Sequence, residues 1–411
     1  MALIRTRRWL PMSPLLTQAV LAADANPTPE VWRVVTKMAY FAGLIGTIGG
    51  CMLHLIVLRP VLARPSVDPA DRAVLRCRTS LFLAVAGTWY LVALYFQLAG
   101  KAARVKGKEI PYGDALSPSA IWRFITVPGK PAEWISSGAE AFIQYALWAV
   151  AAIVLMLLWS PRLRARLTGL VWTALVTTFV AYQVTLLPTD FGKATVDSVV
   201  NSLLDHTHVW AVSTWVGGIA GLVVLASAWR RLGRGAGTTW AQLWARFSTV
   251  ALAAVGCVLI TGLYLAWTLV GRPAELFTTS FGRFLLVKVS LVATMIVLGG
   301  ANEFVLMPRI ARARAAGADG SVFRLAVKVF PGLVAVEAVL AVGVLFVLSF
   351  LTGSGRAEAG DPDPTLSGGI VGIGVLLAVL VAISFVTTAK VSARLSRVEP
   401  VHAEEPAPEP A

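Results

Sequence analysis

The residues best suited to chemistry lie between Asp205 and Gly221, in the stretch DHTHVWAVSTWVGGIAG. Two imidazoles stand at the mouth of a long apolar run, where ionisable groups are costly and mark functional sites. His206 and His208 are two apart, about 200° around a helix, so both cannot face one site. His208 shares a face with Asp205, Trp215 and Gly218; His206 shares one with Trp210, Ser213, Gly217 and Gly221. One arrangement points His208 into a bundle with Asp205 holding its second ring nitrogen, as carboxylates do behind metal-ligating imidazoles. The alternative is a pair of interfacial histidines bonded to headgroups or backbone. Gly217, Gly218 and Gly221 are packing devices that let a second helix approach closely.

A second set is Cys51, Met52 and His54 in CMLH. Thiolate, thioether and imidazole suit Cu(I), and Cys51 and His54, three apart, share a helix face. The competing reading is core packing with a snorkelling histidine. Carboxylates and cations inside apolar runs complete the inventory: Glu140 with Gln144, Lys288, Glu303 and Glu337. A mid-membrane carboxylate such as Glu337 must be protonated, paired or hydrated, which fits an interhelical pair as well as a transport path. The three cysteines are scattered without CxxC or CxxCH, so neither a disulfide framework nor covalent haem attachment is expected. No GxSxG, HExxH or P-loop lysine occurs, and no enzyme is expected.

The elements that position these residues follow from composition. With 57% hydrophobic and 14% charged residues, the chain is too apolar for an ordinary soluble protein. Runs of eighteen or more apolar residues recur, enough to cross a bilayer as helices. An all-α polytopic bundle of about nine membrane helices results, over residues 34–58, 79–99, 136–159, 168–187, 203–228, 248–270, 284–307, 327–351 and 368–389. The net charge of +14 sits mostly in the short loops 59–78, 160–167, 229–246 and 308–326 and in the tail. It therefore fixes topology, with the N-terminus outside and the C-terminus in the cytoplasm, and meets anionic lipid, not nucleic acid.

Residues 1–33 read as an external arm or weak signal peptide, basic at Arg5, Arg7 and Arg8 with small residues near Ala23 and Ala25. Residues 34–190 form an N-terminal four-helix half with a long outer loop at 100–135, whose Trp122 and Trp134 suit an amphipathic stretch on the membrane surface. A second four-helix unit spans 200–351, an added helix spans 368–389, and the Pro- and Glu-rich tail 390–411, with His402, is expected to be disordered. A faint repeat aligns TIGGCMLHL at 47–55 with WVGGIAGLV at 215–223, so Tyr40 falls where His208 falls. The halves then form a 4+4 parallel repeat plus one helix.

HVWAVSTWVGGIAGLVVL at 208–225, RFSTVALAAVGCVLITGLYLAW at 246–267, FGRFLLVKVSLVATMIVLGGANEFVLMPRI at 281–310 and VEAVLAVGVLFVL at 336–348 occur in this order. Together they resemble the copper resistance protein D (CopD) family of bacterial inner-membrane proteins, and GGCMLHLIVLRP resembles the opening of full-length members. The resemblance covers about residues 200–350. It implies an eight-helix copper-handling membrane protein, often paired with a small periplasmic copper-binding protein of the CopC type. His208, Trp215, Gly217, Gly218 and Glu337 match the family's pattern. The chain departs from it in having only seven methionines, no Met/His-rich external segment, no fused copper-binding domain, and an added ninth helix with a long outer loop.

Two functions are consistent with these residues. The first is copper homeostasis, moving or accepting copper, as Cu(I), across the cytoplasmic membrane from His206 and His208 along Trp215 and Glu337 toward Cys51, Met52 and His54. The second is a membrane subunit of a larger redox complex, a cofactor-free scaffold or a holder of haem b. Haem b needs facing axial ligands, and Lys288 lies at a depth to serve beside an outer histidine.

Overall fold

In a computed structural model the protein is described over residues 29–105, 108–233, 236–301 and 330–361, with isolated positions at 304 and 309 and between 372 and 387. These residues are almost wholly helical. Helix α1 (Val31–Leu62) is followed by α2 (Pro69–Ala103), a short α3 (Pro118–Ile125) and α4 (Ser137–Trp159). Then come α5 (Leu163–Gln183), α6 (Val196–Ala226), α7 (Ala236–Leu269) and α8 (Ser280–Ala301). Last is α9 (Phe330–Leu348). Seven of these, all but α3 and α9, are long and apolar enough to cross a membrane, and α9 holds a shorter apolar stretch, Ala335–Leu348. This is a multi-pass membrane protein. Large apolar side chains such as Val85, Trp89, Phe142, Trp172 and Phe179 remain exposed on the outside of the bundle, as lipid-facing surfaces require.

Eight of the nine expected segments appear as helices, most of them longer than their apolar runs. The extra turns come from local signals that hydropathy ignores. Thr195 and Ser198 form a capping box that starts α6 well before the first apolar run. Asp68 accepts from the Ala70 amide at 2.7 Å with Pro69 at the first helical position, which starts α2. In α7 the polar opening turns bury Trp240 and Trp244 and so stay helical. The expected helix at 368–389, the tail with His402, most of the 1–33 segment and Glu303 lie outside the described residues, apart from isolated helical positions in the first.

Helix α1 lies between α2 and α6; α2 packs on α4, α4 on α5, α6 on α7 and α9, and α8 on α9. The motifs aligned as a repeat meet each other. A Cβ on Gly49 would strike the Ser213 carbonyl and lie 2.5 Å from the Gly217 Cα; one on Gly217 would strike the Ile45 carbonyl and lie 2.8 Å from the Gly49 Cα. Their neighbours behave alike, since Gly50 abuts Phe82 of α2 and Gly218 abuts Phe247 of α7. Gly221 is filled by Leu53.

Helix α1 is interrupted by a π-helical stretch, Leu53–Leu58. Pro60 has no amide hydrogen to give to the carbonyl four residues back, Ile56. Arg246 of α7 donates its Nε to that carbonyl instead, so the wide turn is stitched to the neighbouring helix. Such turns recur at functional sites, and this one carries His54.

Trp122 on α3 is exposed while Ala120 and Ile121 are buried, as expected of an amphipathic turn. Trp134 does more than lie on a surface. Its amide donates to the Thr189 carbonyl and its Nε1 to that of Pro188, both at 3.1 Å. Its ring stacks on Phe191 at 5.4 Å.

Candidate functional site

Helix α6 brings its two histidines to opposite sides, as the 200° spacing requires. His206 faces α4 and α5. Its Nε2 lies 3.3 Å from Thr185 Oγ1, and the Tyr182 ring meets it edge-on at 5.0 Å. Gln144 donates to Thr185 Oγ1 at 3.3 Å and to the Ala181 carbonyl at 3.2 Å. His208 faces α7, its Nδ1 2.9 Å from Thr261 Oγ1.

Both threonines favour one tautomer of their histidine. A hydroxyl has one hydrogen to give. Thr261 gives its own to the Cys257 carbonyl at 2.6 Å, so His208 Nδ1 must donate and Nε2 keeps its lone pair. Thr185 has the Tyr182 carbonyl at 3.2 Å to receive its own, which lets His206 Nε2 donate and leaves Nδ1 its lone pair. That Nδ1 is buried without a partner among the described residues. A ring nitrogen tied by a hydrogen bond, with the other left basic, is how proteins present imidazole to a metal.

The expected role of Asp205 is not what the geometry gives. Asp205 is exposed, and the oriented nitrogen of His208 is taken by Thr261. Asp205 instead lies within electrostatic reach of His206 and Lys288. Lys288, half-buried near the start of α8, is also close to His208 and to Lys37. Lys37 in turn donates to the Leu348 carbonyl at 2.9 Å. Glu337 is buried in α9 at 4% exposure. Trp215 packs in an apolar core with Trp240, Trp244 and Phe247.

At the opposite end of the bundle His54 is buried, its Nε2 3.1 Å from Thr168 Oγ1. Cys51 is fully buried against Leu155 and Val171, and Met52 is half-buried beside it. His54 and His206 engage α5 at positions 168 and 182, fourteen residues apart, or about 21 Å along the axis. No two of the three described histidines converge as a facing haem pair would. Among the described residues no group of three His, Cys, Asp or Glu side chains stands ready to hold a metal. Among the described residues, such side chains stand in groups of fewer than three. Sequence reasoning missed Thr168, Thr185 and Thr261, because a threonine in an apolar run reads as an ordinary helix residue that back-bonds to its own turn.

Residues 241–351 match the family model of copper resistance protein D. The chain is 30% identical over 252 residues to "Copper transport protein CutJ" of Bacillus subtilis (strain 168), covering 56% of this chain and 45% of that protein. It is 29% identical over 235 residues to "Inner membrane protein YebZ" of Escherichia coli (strain K12), covering 55% of this chain and 70% of that one. The matched stretch is thus less than half of CutJ. No solved structure matches the chain. Over residues 241–351 the chain thus carries the sequence pattern of the copper resistance protein D family.

Proposed function

We propose that this protein accepts copper at the end of the bundle that carries His206 and His208 and moves it, as Cu(I), inward across a bacterial cytoplasmic membrane. One observation carries the reading. Each of these imidazoles is held through one nitrogen by a threonine that also has a backbone carbonyl of its own turn to bond. The other ring nitrogen of each is left to present a lone pair, the form in which imidazole binds a soft or borderline metal. The relative named a copper transport protein supports copper as the cargo, and the inner-membrane relative supports the compartment.

The stretches 59–78, 160–166 and 227–233, rich in arginine, share the end that carries His54, which by the positive-inside rule is cytoplasmic. The histidine pair on α6 then faces outward. A small external copper-binding protein of the CopC type would supply it, and no catalysis is called for. Sites of one or two ligands hold copper weakly, as a carrier needs.

The test is copper content of purified wild-type protein beside His206→Ala, His208→Ala and His54→Ala, with an absorption spectrum of the same samples. We expect bound copper in the wild type, a loss of most of it in either α6 variant, and no Soret band. Copper content unchanged in all three variants would sink the proposal.

A further inference from the structure

Which part of the bundle carries the ion is a separate matter, and the side matched by the family model is not where the polar groups lead. On that side, below His208, Thr261 and Glu337, the described core is dominated by Trp215, Ile219, Leu222, Trp240, Trp244 and Phe247. Apart from Gln242 Oε1, buried and unpartnered among the described residues in the opening turns of α7, it offers a crossing ion little to bind.

The other side differs. His206 Nδ1 is buried and unpartnered among the described residues, and so are Thr47 Oγ1 and Ser213 Oγ. Their residues are all at least nine-tenths buried. Buried polar atoms are paired almost without exception, because an unpaired one is costly. Three such atoms in one region call for a guest.

They also lie in a line. Tyr182 touches His206 at 5.0 Å between ring centres, Trp148 touches Tyr182 at 5.7 Å, and Tyr40 touches Trp148 at 5.7 Å. From Tyr40 the line continues down one face of α1, since positions 40, 47, 51 and 54 step by seven, four and three residues along a single helical stripe. Ser213, two turns below His206 on α6, meets that stripe at the depth of Thr47, where its carbonyl abuts Gly49. The line ends at Cys51 and then at His54 on its wide turn, 3.1 Å from Thr168.

We propose that copper crosses between α1, α4, α5 and α6, from His206 past Thr47 to Cys51 and His54, and that His208 is a receiving group outside this route. The proposal rests on the copper reading above. Imidazole, aromatic faces, hydroxyl oxygen, thiol and imidazole follow in that order. Each is a weak partner for a monovalent soft cation, so the ion is passed on and not trapped.

The test is accumulation of radioactive copper by cells at limiting copper, normalised to protein in the membrane. The variants are His206→Ala, Thr47→Val and Cys51→Ala on the route, and His208→Ala and Thr261→Val off it. We expect the route variants to lose at least tenfold in rate, Thr47→Ser to restore it, and the off-route variants to lose only a few-fold. Loss confined to His208→Ala and Thr261→Val would leave the copper reading standing and overturn the route. Wild-type cells that accumulate no more copper than cells lacking the protein would overturn both.

A second measurement does not depend on transport. In membranes holding the Cys77→Ser, Cys257→Ser protein, methyl methanethiosulfonate should modify Cys51, and silver(I), a stand-in for Cu(I), should slow the reaction at least tenfold. Absence of modification, or modification that silver leaves unchanged, would overturn the route.

Discussion

Gly49 of α1 and Gly217 of α6 stand against each other, each occupying the space where the other's side chain would be. They are also equivalent positions in the two aligned GG motifs. The backbones cross so closely there that a Cβ on either residue meets main-chain atoms, which cannot swing aside as a side chain can. Between helices in lipid, packing of this kind takes the place of the hydrophobic drive.

Gly49→Ala or Gly217→Ala should therefore lower stability by about 1–3 kcal/mol, the ordinary cost of overpacking. Thermal unfolding in detergent would read it as an earlier loss of monodisperse protein. Gly169→Ala and Gly299→Ala, where an added methyl meets nothing within 4 Å among the described residues, should be neutral or slightly stabilising. Equal effects at all four positions would refute the close crossing.

Thr261→Val keeps the shape of the residue and removes the oxygen that orients His208. Copper affinity at that imidazole should fall roughly 10- to 100-fold, as for other lost orienting partners. Asp205→Asn should change it far less, because the Asp205 carboxylate is not the partner of His208 Nδ1. Isothermal titration with Cu(I) held by a competing chelator distinguishes the two, and the reverse ranking would restore Asp205 as the orienting group.

Arg246→Ala leaves the Ile56 carbonyl without the donor that replaces Pro60. A cost of about 1 kcal/mol is expected at this partly exposed position. Pro60→Ala supplies an amide hydrogen and should suppress the defect, so the double variant should be more stable than Arg246→Ala alone. Additive losses in a double-mutant cycle would show that the arginine acts elsewhere.

Trp134→Ala removes a hydrogen bond to Pro188 and a stack on Phe191, together about 1–2 kcal/mol of local stability. Amide exchange at residues 186–191 should quicken while that of α4 and α5 stays as it was. Unchanged exchange at 186–191 would mean that the two loops are held by other contacts.

Much of the architecture was legible without coordinates because apolar length reports directly on transfer into lipid. The recurrent runs already required a helical membrane bundle, and a spacing of two already required His206 and His208 to diverge. The GG motifs already announced a close helix approach. Helix starts were less legible, since the capping box at Thr195 and the buried tryptophans of α7 extend helices beyond what hydropathy marks.

Rotation of each helix about its axis, and the neighbour it meets, only the tertiary structure decided. Hydropathy is a property of a segment, whereas a hydrogen bond is a property of two side chains brought together from distant parts of the chain. That is why Asp205, adjacent in sequence, looked like the partner of His208, while Thr261 on another helix holds it. It is also why Thr185 and Thr168 carried no signal, and why the equivalence of Gly49 and Gly217 appeared as a faint repeat before it appeared as a contact.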